Sequence, residues 1–76
     1  MTKEEAKKIL SMYRETDDDT REEYGYIIQD YVGKDGEAHI FRCKVEGIDY
    51  DSLTGIFANL PLMAVYPDGT VLNVPE

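Results

Sequence analysis

Two runs of strand-forming residues face each other across a glycine-flanked turn in the middle of the chain. They are Tyr24-Gly25-Tyr26-Ile27-Ile28-Gln29-Asp30-Tyr31-Val32 and Ala38 to Glu46, separated by Gly33-Lys34-Asp35-Gly36. The second run alternates. His39, Phe41, Cys43 and Val45 fall on one face, and Arg42, Lys44 and Glu46 on the other with Ala38 and Ile40. The first run fits two readings. A helix capped by Asp19 or Thr20 would gather Tyr24, Ile27, Ile28, Tyr31 and Val32, whereas a strand would align Tyr24, Tyr26, Ile28 and Val32, with Asp30 as the exception. Gly25 would cost a helix ~1 kcal/mol, and tyrosine, isoleucine and valine favour a strand, so a hairpin is the better reading. A chain of 76 residues has room for one core, so its other elements must pack on this hairpin.

Before the hairpin, Thr2 and Glu5 have the spacing of a capping box, and Ala6, Ile9, Leu10 and Tyr13 then mark one helical face. A helix is expected over about 3–14. Residues 15–23 hold no apolar side chain and read as a solvated, acidic connection. After Gly47, Asp51 or Ser52 caps a short helical pattern through Leu53, Ile56, Phe57 and Leu60, stopped by Pro61. Leu62 to Tyr66 is an unbroken apolar strand, Pro67-Asp68-Gly69 a tight turn, and Thr70 to Val74 the last strand.

The expected fold is therefore a single α+β domain over 1–76, in the order α-β-β-α-β-β. An antiparallel or mixed four-stranded sheet would carry both helices on one face. A helical 24–32 would leave three strands, and a first helix on the opposite face would make three layers.

Several function classes lack their residues. Eight aromatics argue against disorder, and no apolar run nears the ~20 residues that span a bilayer, so no membrane association is expected. The first residues, Met1-Thr2-Lys3-Glu4-Glu5, lack a signal-peptide apolar stretch, and Cys43 is the sole cysteine. Both point to a reducing cytoplasm. A core this small rarely supplies more than ~3–5 kcal/mol, so association with a partner or a second copy would add stability.

His39 and Cys43 lie four apart on a strand, roughly 13 Å, too far for a catalytic dyad. They fit a histidine at the sheet end and a core cysteine. Two such residues cannot make a zinc site. Asp17-Asp18-Asp19 lacks the calcium-loop pattern, and Asp49-Tyr50-Asp51 is too sparse. Gly33-Lys34-Asp35-Gly36 is not a phosphate loop. Carboxylate pairs for work on sugars arise by chance in so acidic a chain, and no tryptophan accompanies them. No enzyme, cofactor or metal is expected.

The charge is segmental. Net charge is −8 overall, but residues 1–14 carry +2, 15–37 carry −7, 38–44 carry +2 and 45–76 carry −5. Such a field repels nucleic acid and attracts basic protein surfaces. The leading expectation is a small interaction module that binds a basic partner through Asp17, Asp18, Asp19, Glu22, Glu23 and Asp30. Its most specific form is an inhibitor of a nucleic-acid-handling protein, since alternate strand positions, roughly 6.6 Å apart, approach the ~7 Å spanned by two steps along a nucleic-acid strand. Direct nucleic-acid binding is not expected. Six tyrosines, of which Tyr26, Tyr31 and Tyr50 adjoin acidic positions, suit an interface. The alternative is a homodimer or larger homo-oligomeric accessory module built through Ile27, Tyr31 and Ile40, which strict alternation places together on the sheet face away from the helices.

Overall fold

A computed structural model of the chain describes residues 1–48 and 60–74. Its elements are helix α1 (Lys3–Met12) and strands β1 (Arg14–Thr16), β2 (Glu23–Asp35), β3 (Ala38–Val45), β4 (Leu62–Val65) and β5 (Val71–Val74). The strands lie in chain order and every neighbouring pair is antiparallel, forming a curled, half-barrel sheet.

The capping box at the start of α1 is formed. The Glu5 amide donates to Thr2 Oγ1 at 3.1 Å, and the Thr2 amide donates to Glu5 Oε1 at 3.0 Å. The apolar stripe then buries Ala6 and Leu10 completely, with Ile9 and Tyr13 packed beside them. At Tyr13 the backbone becomes extended, and the chain passes directly into β1.

The expected α+β fold of four strands and two helices is corrected to a mostly β one, with a single helix among the described residues. The fifth strand comes from the segment read as a solvated connection. Arg14, Glu15 and Thr16 pair with Gly25, Tyr24 and Glu23. The loop between is closed by the Asp17 amide donating to the Glu22 carbonyl (2.9 Å) and the Arg21 amide donating to the Asp17 carbonyl (2.8 Å). Asp17 Oδ1 also accepts from the amides of Asp19 (2.8 Å) and Thr20 (3.1 Å), so the acids fold their own turn. A short edge strand needs no apolar alternation, which is why the hydrophobic pattern missed it. The helix expected between Asp51 and Leu60 falls almost wholly on residues 49–59, outside the described residues.

The 24–32 segment is a strand, and β2 runs on through Gly33 to Asp35, leaving a two-residue connection at Gly36 and Glu37. Gly36 takes φ 61°, which a glycine adopts without strain. Two bulges interrupt β2. Its register against β3 slips once between Ile28 and Asp30, and again between Tyr31 and Gly33. Each inserts one unpaired residue, Gln29 and then Val32. Tyr26, Ile28, Tyr31 and Lys34 therefore stand across from Val45, Cys43, Phe41 and His39, on the side that faces α1.

Two apolar clusters result. The main core holds Ala6, Leu10, Phe41, Cys43, Met63, Val65 and Val71, lined by Ile9, Tyr13, Tyr26 and Ile28. A smaller cluster of Ala38, Ile40 and Ala64, packed by Leu62, Tyr66 and Val74, lies on the reverse face of the sheet. The last hairpin turns at Pro67-Asp68-Gly69 as its sequence predicts, with the Tyr66 amide donating to the Thr70 carbonyl at 2.9 Å.

Candidate functional site

Three tyrosines converge on one carboxylate where α1 runs into β1. Tyr13 follows the helix, while Tyr24 and Tyr26 are alternate residues of β2 and so share a face. The Tyr13 hydroxyl donates to Glu15 Oε1 at 2.9 Å, and those of Tyr24 and Tyr26 donate to Oε2 at 2.6 and 3.0 Å. The Tyr26 ring stacks against Tyr13 (centroids 6.1 Å apart) and meets Tyr24 edge-on (6.0 Å). Partial burial pushes the Glu15 carboxyl upward, but the three phenol bonds outweigh it and hold the group below its ordinary 4.5. Burial, followed by the bond to Glu15, drives the Tyr26 phenol far above its ordinary 10.0. The cluster is one carboxylate held by three phenol donors.

Beside it lies an open groove of about 570 Å³, whose lining includes Asp17, Glu22, Glu23 and Glu46 together with Tyr24 and Tyr26. The β1–β2 hairpin supplies three of the acids and the end of β3 the fourth. Glu46 is anchored: its Oε1 accepts from the Gly25 amide at 2.9 Å and pairs with the Arg14 guanidinium. The pair is half-exposed, so its value is that of a surface ion pair, ~0–1 kcal/mol. Gly25 makes the approach possible. A Cβ there would stand 3.0 Å from an Arg14 guanidinium nitrogen and 3.2 Å from Glu46 Oε1.

Of the acids singled out from sequence, Asp17, Glu22 and Glu23 meet at this groove. Asp18 and Asp19 are exposed on the adjoining hairpin loop. Asp30 is elsewhere, across from Arg42 on the β2–β3 ladder. The apolar trio does not share a face. Ile27 is 50% exposed opposite Lys44, Ile40 is 8% exposed within the reverse-face cluster, and the bulge at Gln29 turns Tyr31 to the helix side against Phe41 (centroids 5.3 Å apart). Glu15 and Glu46 were not singled out. The one sequence signal for them was tyrosine placed beside acidic positions; Tyr50, also noted for that reason, lies outside the described residues.

His39 is buried, 5% exposed, and fully engaged. Its Nε2 lies 3.1 Å from the Met1 carbonyl, which only accepts, so Nε2 donates there, and Nδ1 lies 2.9 Å from the Tyr31 hydroxyl. Cys43 is buried in the main core, and burial pushes its thiol up to about 11, away from nucleophilic chemistry. Among the described residues no group of three or more His, Cys, Asp or Glu is placed to hold a metal, and no helix is long and apolar enough to cross a membrane. No family model, curated protein or solved structure matches the chain.

Proposed function

We propose that the protein is a small interaction module whose acidic, tyrosine-walled groove takes basic side chains of a partner protein, in the manner of an inhibitor that occupies a phosphate-binding surface. One observation carries this reading: Asp17, Glu22, Glu23 and Glu46 line a single groove together with Tyr24 and Tyr26. Lysine or arginine side chains gain charge contacts from the acids and cation–π contacts from the rings. The surrounding −7 segment steers such a partner in and repels nucleic acid.

The test is calorimetric titration with an arginine-rich peptide. Saturable binding that weakens as salt is raised is expected, because exposed charge contacts are screened over about 8–10 Å at physiological ionic strength. Glu22→Lys with Glu23→Lys should weaken it by roughly 100-fold, two charge reversals at on the order of 1–1.5 kcal/mol each. Both residues are exposed, so the fold should survive the change. Unchanged affinity in that double variant refutes the groove as the binding site.

A further inference from the structure

A phenol gives up an electron most readily when its proton has somewhere to go at the same moment. Once an electron has left the ring, the hydroxyl is a far stronger acid than any carboxylic acid. A base already hydrogen-bonded to it then takes the proton without waiting for water. Among the described residues two sites join a tyrosine hydroxyl to a titratable acceptor: Tyr13, Tyr24 and Tyr26 at Glu15, and Tyr31 at His39 Nδ1.

Charge separates the two. Glu15 Oε2 lies 2.6 Å from the Tyr24 hydroxyl and 3.0 Å from that of Tyr26, and a carboxylate so close favours removal of an electron from those rings. At Tyr31 the field has the opposite sign. The Lys3 ammonium stands 5.2 Å from the centre of that ring and holds its electrons, and Lys34 is across the ladder from His39. Tyr24 and Tyr26 also meet edge-on with centroids 6.0 Å apart, and Tyr26 stacks on Tyr13, so a missing electron has aromatic neighbours to move between. Tyr24 and Tyr26 are both partly exposed, which admits an oxidant to the rings.

We infer that the Tyr24–Tyr26 pair is a redox-active site that gives one electron to an outer-sphere oxidant while a phenol proton passes to Glu15. The oxidant is of the class of high-valent metal complexes and is reduced by one electron. The Tyr24 O–H bond breaks, and its proton forms a new O–H bond at Glu15 Oε2. The products are a neutral tyrosyl radical and a neutral carboxylic acid. Return of an electron brings the proton back to the phenol oxygen, so the step is reversible. The inference does not rest on the groove reading, because it uses only the bonds within the cluster.

Photogenerated ruthenium(III) tris-bipyridine serves as the oxidant at neutral pH, with the radical followed by transient absorption and electron paramagnetic resonance. Tyr31→Phe should leave the rate and the radical spectrum unchanged, whereas Tyr24→Phe with Tyr26→Phe should remove the fast phase. Glu15→Gln should slow that phase roughly tenfold, because the proton must then go to water. Each variant is read where circular dichroism shows it folded. The wild-type chain gives a result that needs no variant: with an internal acceptor, the rate should not depend on buffer-base concentration and should fall in deuterium oxide. A radical that Tyr31→Phe abolishes, or a fast phase that survives in the Tyr24→Phe, Tyr26→Phe chain, overturns the inference. So does a folded Glu15→Gln chain that matches the wild type, or a wild-type rate that rises with buffer base.

Discussion

Phe41→Ala is expected to leave the chain largely unfolded at 25 °C. Phe41 is completely buried in the main core, in the middle of β3, the strand between β2 and β4. Truncating a buried phenylalanine costs ~3–5 kcal/mol, from lost transfer energy and from the cavity left behind. That is about the whole stability a core of this size supplies. The Tyr31 ring, 5.3 Å away, loses the neighbour that holds it on the helix side of the sheet. Urea denaturation followed by circular dichroism checks this: the variant should lack a native baseline, and Phe41→Leu should retain one. A variant that keeps the wild-type midpoint would mean that the core is not centred on this residue.

Glu15→Gln is expected to cost about 2 kcal/mol and to change how stability depends on pH. The substitution keeps the shape of the side chain but replaces a carboxylate that accepts from three phenols with a neutral amide. The Glu15 carboxyl sits below its ordinary 4.5 in the folded chain, so on acidification the unfolded chain takes up the proton first. Its contribution is complete above that ordinary value and is lost as pH falls through the lower folded one. Tyr26 works in the opposite direction. Its phenol is raised above 10.0 by folding, so its contribution is complete below pH 10 and is lost as pH rises further. The wild type should therefore weaken at both ends of the pH range. In Glu15→Gln the acid limb should flatten, and the alkaline limb should shrink because part of the Tyr26 shift comes from Glu15. Urea midpoints between about pH 3 and 11, a range set by these carboxyl and phenol groups, measure both limbs. An unchanged acid limb would show that the three-tyrosine carboxylate carries no stability.

Much of this architecture was legible because it follows simple periods. The capping box, the Ala6–Leu10 stripe, the alternation from His39 to Val45 and the Pro67-Asp68-Gly69 turn all mean in the fold what their spacing means in the sequence. The departures have physical causes. β1 is three residues long and holds no apolar side chain, so a search for hydrophobic alternation passes over it. The strand exists because its backbone completes the edge of Glu23–Gly25 and because Asp17 closes the loop. The bulges in β2 are invisible to a strict period of two, and one inserted residue at Gln29 moves Tyr31 to the opposite face from Ile27. The chain's acidity pointed to a charged surface, but charge counted along a segment does not say which carboxylates meet. Asp17, Glu22 and Glu23 were brought to the groove by the hairpin, Glu46 arrived from the end of β3, and Asp30 was carried away along β2.

The most direct measurement is a heteronuclear NMR titration of the labelled chain with an arginine-rich peptide at two salt concentrations. Shifts should concentrate on the groove, at Asp17 to Tyr26 and Glu46 to Ile48, and should shrink at the higher salt while α1 and β5 stay still. Shifts scattered over every acidic residue, Asp30 and Asp68 included, or no saturation at all, would contradict a groove-borne interaction and leave the acids as a solvating surface.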